Sequence, residues 1–164
     1  MTWSPSHGAM TLMTGVLQWM SIALQRDRRG KRGSGVALYV RDCFDCIELN
    51  NCDDKVECLW VKMRGKANKA DILLGVCYRP PNQDEEVDEV SCKRLAAVSQ
   101  SLALVLMGKF NLPNICWKHN TAERKQSRRF LDCVEDNFLT QLVSEPTSGG
   151  ASLDLLFTNR AGLV

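Results

Sequence analysis

Leu102-Ala103-Leu104-Val105-Leu106-Met107-Gly108-Lys109-Phe110-Asn111 decides how this chain is read. A run of apolar residues with no polar alternation is the pattern of a strand covered on both faces. It ends at a glycine, a lysine, an aromatic residue and an asparagine, so the strand is expected over Ala103–Met107 with a loop from Gly108. Two more stretches share the pattern. Val56 to Met63 carries Leu59, Val61 and Met63 on one face against Cys58 and Trp60 on the other, and Ile72 to Cys77 is nearly all apolar. Strands of this kind belong in the middle of a layered fold rather than at a wet edge.

Around these strands the rest of the pattern falls into place. Gly35 to Val40 reads as a further strand, preceded by a charged, glycine-rich turn over Arg26 to Ser34. Tyr78-Arg79-Pro80-Pro81-Asn82 ends the strand at Ile72–Cys77, because proline cannot continue the hydrogen-bond ladder. The acidic run Asp84, Glu85, Glu86, Asp88 and Glu89 suits a helix N-terminus, where the dipole favours negative charge. Val87, Val90, Leu95, Val98 and Leu102 keep a helical face. Asn120-Thr121-Ala122-Glu123 resembles a capping box, and Phe130, Leu131, Val134 and Phe138 give the helix behind it an apolar stripe. Leu139 to Val143 and Ser152 to Phe157 read as short strands, the second after the Gly149-Gly150 turn. Strands mixed with two helices make an α/β layered fold.

At 164 residues the chain fits one domain with a sizeable core. Its net charge of +2 is too small to argue for nucleic acid by itself. The local distribution is uneven. Arg26, Arg28, Arg29, Lys31 and Arg32 form one basic cluster, and Lys118, Arg124, Lys125, Arg128 and Arg129 another. Either is a solvated surface or a track for a phosphate backbone. The acidic cluster reads as solvated surface too. Of the 8 cysteines, only Cys43 and Cys46 have ligand-like spacing, with no second pair and no nearby histidine. The cysteines are therefore expected to be reduced and free of metal, Cys58 and Cys77 packing as small hydrophobes. That fits an intracellular compartment, nuclear or cytoplasmic. Met10 to Leu24 lacks a preceding lysine or arginine, contains Gln18 and Ser21, and is too short to span a bilayer. No membrane association and no small-molecule cofactor are expected.

Tyr78 closes one strand, Gly108 to Asn111 closes another, and Ser152-Leu153-Asp154 opens a third. With the GVALYV strand at 35–40 and "CYRPPNQ" at 77–83, this order resembles the endonuclease domain of LINE-type (non-LTR) retrotransposons of the jockey and chicken-repeat kind. That domain is a branch of the endonuclease/exonuclease/phosphatase superfamily, and the resemblance covers residues 26–164. It implies a four-layered α/β sandwich, two sheets face to face with helices outside. It also implies an ancestral activity: Mg²⁺-dependent nicking of a DNA strand, from which a downstream-encoded reverse transcriptase primes.

Carried over by position, Tyr78 would contact the scissile phosphate and Asn111 would hydrogen-bond the phosphate or the water. Asp154 would be the carboxylate at the start of the C-terminal catalytic strand. Lys109 stands where the family has the aspartate of Gly-Asp-Phe-Asn, which orients and deprotonates the water. An ammonium cannot accept that proton. The family's upstream asparagine and metal-binding glutamate have no counterpart before Gly35, and its Ser-Asp-His motif none after Asp154. The resemblance therefore implies a sandwich truncated at both ends that binds no Mg²⁺, cuts nothing and holds DNA weakly or not at all. Three other outcomes stay open: a non-catalytic nucleic-acid-binding remnant, an active nuclease using Asp154 and other carboxylates, and a translated relic without function. Residues 1–25 match nothing in the family and read as a neighbouring frame of its usual N-terminal stretch, with the frame recovered near Arg26.

Overall fold

The computed structural model describes residues 22–27, 35–41, 43–49, 56–100, 103–143 and 154–162. In chain order these form β1 (Ile22–Asp27), β2 (Gly35–Val40), β3 (Cys46–Leu49), β4 (Cys58–Met63), β5 (Ile72–Tyr78) and α1 (Glu85–Ser99). There follow β6 (Ala103–Lys109), β7 (Ile115–Cys116), β8 (Thr121–Ala122), α2 (Lys125–Asp136), β9 (Thr140–Gln141) and β10 (Asp154–Thr158).

The apolar runs occupy the centre. A six-stranded sheet has the order β3-β4-β5-β6-β10-β9. β5 and β6 are parallel, joined through α1, and the other pairings are antiparallel. One face carries Cys58, Trp60, Leu73, Cys77, Leu104, Leu106, Leu155 and Phe157, packed with Leu95 of α1 and Leu131 and Val134 of α2. Phe110, Phe130, Trp117 and Phe157 meet there with ring centroids 5.1 to 6.0 Å apart, distances at which tilted and edge-on rings attract. The opposite face carries Leu59, Val61, Val76 and Met107, packed against Val36 and Leu38 of β2. β2 pairs with β1 as an antiparallel hairpin. The described residues thus make a helix layer, a central sheet and a hairpin layer. Among them, no helix is long and apolar enough to cross a membrane.

Two glycines show how closely the centre is packed. A Cβ on Gly75 would lie 2.6 Å from Cζ3 of Trp60 and 2.8 Å from Cδ1 of Leu106, so the indole lies across the strand only because Gly75 has no side chain. A Cβ on Gly108, at φ +157°, would sit 1.8 Å from the carbonyl oxygen of Cys77.

Several expectations are corrected. Cys58 and Cys77 are not free thiols but a disulfide, because the β4–β5 register sets them directly opposite on one face with Cα atoms 4.1 Å apart. Gly108 and Lys109 are not yet loop: the β6 ladder continues through both, paired to Cys77 and Tyr78. Ile22–Asp27 is a strand, although Arg26 and Asp27 read as turn. The capping box does not cap α2. Thr121 and Ala122 are taken up by β8, and the N-cap is Arg124, without a side-chain cap bond. Phe138 is no part of the stripe: it lies past the helix end at φ +54° and is 85% exposed. The acidic run does begin α1, with Asp84 as N-cap and Glu85, Glu86 and Asp88 in the first turn. Most of residues 1–25, the basic cluster from Arg28, and Leu102, Ser152 and Leu153 lie outside the described residues.

Candidate functional site at the end of the central sheet

β5, β6 and β10 end side by side. The parallel register pairs Tyr78 with Lys109, and the antiparallel register pairs Lys109 with Asp154. Tyr78 packs on the hairpin face, as does Met107, two residues before Lys109. Leu155, next to Asp154, packs on the helix face. Side chains alternate along a strand, so Tyr78, Lys109 and Asp154 stand abreast on the hairpin face, each half-buried. Three of the four residues singled out from sequence therefore form one row, in the order tyrosine, lysine, aspartate.

Asn111, the fourth, lies just past β6 in the left-handed region at φ 49°. Asparagine tolerates that conformation better than most residues. Its side-chain nitrogen donates to the carbonyl of Arg79 at 2.8 Å, and the Arg79 backbone N–H donates to the carbonyl of Lys109 at 2.8 Å. These bonds fasten the loop after β6 to the end of β5. In this structure Asn111 positions backbone, and its amide N–H is engaged there.

Sequence reasoning missed the support beneath the row. Arg79 is 6% exposed. Its Nε and Nη2 donate to the two carboxylate oxygens of Asp88 at 2.7 and 2.8 Å, and Nη1 donates to the carbonyls of Pro80 at 3.2 Å and Phe110 at 3.4 Å. Gln83 and Gln126 donate to the same carboxylate at 2.7 and 3.3 Å. A bidentate, buried guanidinium–carboxylate pair is a strong and directional contact. It ties the strand end to both helices and corrects the reading of the acidic cluster as solvated surface at Asp88, while Asp84, Glu85, Glu86 and Glu89 are exposed. The available signal was an arginine directly after an apolar strand, where burial demands an acid partner.

The second basic cluster is also less free than its sequence suggests. Lys125 and Arg129 both pair with Glu85 of α1, at 3.2 and 3.0 Å, and Arg128 donates to the carbonyl of Ala122. Between the helices, Cys92 and Cys133 share a thiol hydrogen bond. It holds Cys92 below the usual thiol range and, with burial, pushes Cys133 above it.

The row does not fit a hard dication. Mg²⁺ takes oxygen ligands in an octahedron. Here the carboxylate of Asp154 has an ammonium as its in-register neighbour, and among the described residues no three His, Cys, Asp or Glu side chains converge on a metal site. What the row offers is a phenol, a cation and a carboxylate.

No protein-family model matches the chain, and no curated protein matches it in sequence. Solved structures match it in fold. The endonuclease domain of TRAS1, a telomere-specific non-LTR retrotransposon, superposes with a TM-score of 0.63 at 18% identity, over 85% of this chain and 65% of that one. An endonuclease/exonuclease/phosphatase family protein from Bacteroides thetaiotaomicron gives 0.56 at 13%, over 84% and 60%. The catalytic domain of human Nocturnin gives 0.56 at 10%, over 85% and 60%. The chain thus spans between 60% and 65% of the length of these structures. The mixed six-stranded sheet, with its helices on one face, matches the endonuclease/exonuclease/phosphatase fold of these structures.

Proposed function

We propose that this chain is a non-cutting copy of a LINE-type retrotransposon endonuclease domain. The observation that carries the reading is the placement of Lys109 between Tyr78 and Asp154 on adjacent strand ends. Hydrolysis of a phosphodiester at such a site needs a group that takes a proton from the attacking water. General acid–base help of this kind is worth roughly 10²–10⁴-fold in rate. A lysine ammonium has no lone pair with which to give it, and its charge disfavours a dication beside Asp154. Tyr78 keeps the position from which its hydroxyl would meet a phosphate, and Asp154 keeps the carboxylate of the third strand. The retrotransposon identity is supported by the likeness to the TRAS1 domain together with the order of the Tyr78, Gly108–Asn111 and Asp154 landmarks.

The test is a plasmid assay. Supercoiled DNA incubated with the purified chain and Mg²⁺ or Mn²⁺ should stay supercoiled. Dication-dependent nicking that is lost in Tyr78→Phe would overturn the proposal.

One observation favours a second reading, a phosphate-backbone binder that does not cut: Lys109 adds a cation at the position paired with Tyr78. Backbone binding by cations weakens steeply with salt. Fluorescence anisotropy with a labelled duplex separates the two readings, since only the binder shows an affinity that falls with salt and again in Lys109→Ala.

A further inference from the structure

Behind the Tyr78–Lys109–Asp154 row, on the helix face of the sheet, lies a cavity of about 50 Å³ whose walls include Cys58, Trp60, Arg94, Leu95, Leu106 and Phe110. A water needs roughly 10–15 Å³ measured this way, so the space suits three or four waters or a molecule of a few heavy atoms. Its walls are mostly apolar.

Two polar atoms in those walls are unmatched. The indole Nε1 of Trp60 and the guanidinium Nε of Arg94 are both buried without a hydrogen-bond partner. Trp60 is itself only 3% exposed. The Trp60 ring lies close against Gly75, and Arg94 of α1 lies over it at 6.0 Å from the ring centroid. A buried donor left unmade is costly, and here two such donors share one cavity.

The charge in the cavity is also unbalanced. Asp88 lines it, but both of its oxygens are bound by Arg79. The neighbouring Lys93 pairs with Glu89 on the surface. No acidic partner of Arg94 occurs among the described residues, and its guanidinium lies over the face of Trp60. A small anion with acceptor oxygens and an apolar remainder would match these groups.

We infer that this cavity binds a short-chain monocarboxylate, its oxygens accepting from Trp60 Nε1 and Arg94 Nε and its alkyl end lying against Leu95, Leu106 and Phe110. The inference does not rest on the proposed function, since it involves no DNA, although Tyr78 and Arg79 of the candidate site also line the cavity.

The probe is propionate, read by the indole N–H resonances of ¹⁵N-labelled protein, with Trp60 assigned through Trp60→Phe. Sodium propionate should move the Trp60 resonance saturably, while sodium chloride at equal ionic strength and 1-propanol should not. Arg94→Gln should weaken the binding by about tenfold or more, a difference well outside titration error. Arg94→Lys keeps the charge but removes the Nε donor and should also weaken it, so the inference survives scrutiny if one variant fails to fold. An unmoved Trp60 resonance would mean that the cavity holds only water. An equal response to 1-propanol would mean a merely apolar pocket, and unchanged affinity in both variants would remove Arg94 from the site. Each of these results overturns the inference.

Discussion

Asp88→Asn isolates the contact that holds the candidate site in place. The Arg79 side chain is 7% exposed and that of Asp88 23%. The substitution keeps the shape of the side chain and removes its charge. Arg79 then stays buried with one amide oxygen in place of a carboxylate, and the amide nitrogen, in the place of one carboxylate oxygen, faces an Arg79 N–H and the side-chain N–H of either Gln83 or Gln126. Removing one partner of a buried pair costs about 3–5 kcal/mol. The partial exposure of Asp88 places this pair at the lower end, about 3 kcal/mol. For a chain of this length each kcal/mol moves the midpoint roughly 2–4 °C, so Tm should fall by about 6–12 °C. The assay is thermal and urea unfolding of the parent, Asp88→Asn and a control, Asp132→Asn, at an exposed position on α2. Hydrogen exchange adds a local readout. The Arg79 amide, bonded to the Lys109 carbonyl, should lose protection in Asp88→Asn and keep it in the control. A stability change within about 0.5 kcal/mol, the usual range of a surface substitution, would refute the reasoning that this pair anchors the strand end.

Two further outcomes follow from the same structure. Reducing the Cys58–Cys77 disulfide, or replacing both cysteines by serine, should cost about 3 kcal/mol on the chain-entropy scale for a sequence separation of 19; an unchanged urea midpoint on reduction would show that the bridge constrains nothing. The Asp71 carboxyl, held below the usual carboxylate range by the Gly65 N–H and then by Lys62, should titrate in NMR below an ordinary aspartate. Because its folded value is lowered, the contribution is present above the unfolded value and lost as pH falls through the folded one. Lys62→Gln should move the midpoint upward, and no movement would remove Lys62 as a cause.

The sequence made the centre of the fold legible and left its edges obscure, for reasons visible in particular residues. Leu73 to Cys77 and Ala103 to Leu106 are apolar on both faces because both faces are covered, and such runs announce themselves. Ile22–Asp27 carries a charged end and is a strand through its pairing with Gly35–Val40, a non-local fact that no window of its own residues contains. Cys46–Leu49 sits at the sheet edge with no fully buried residue and is silent for the same reason. The disulfide depends on register: Cys58 and Cys77 were each recognisable as strand residues, but only the β4–β5 alignment sets them opposite. At the site, Tyr78, Lys109 and Asp154 were found by motif order, and the structure sets them in one row. Arg79 and Asp88 were passed over because a turn arginine and a helix-start aspartate each have an ordinary surface explanation until burial is known.

The chemistry assigned to the row is tested most directly by paramagnetic Mn²⁺, which broadens the resonances of nuclei near its binding site and substitutes for Mg²⁺ at oxygen ligands. With Lys109 beside Asp154, the amide signals of Tyr78, Lys109, Asn111 and Asp154 should broaden no more than those of exposed carboxylates such as Asp132. Selective broadening of those four signals at low Mn²⁺, abolished in Asp154→Asn, would show that the row holds a dication despite its lysine, and would contradict the reading of Lys109 as the residue that disables the site.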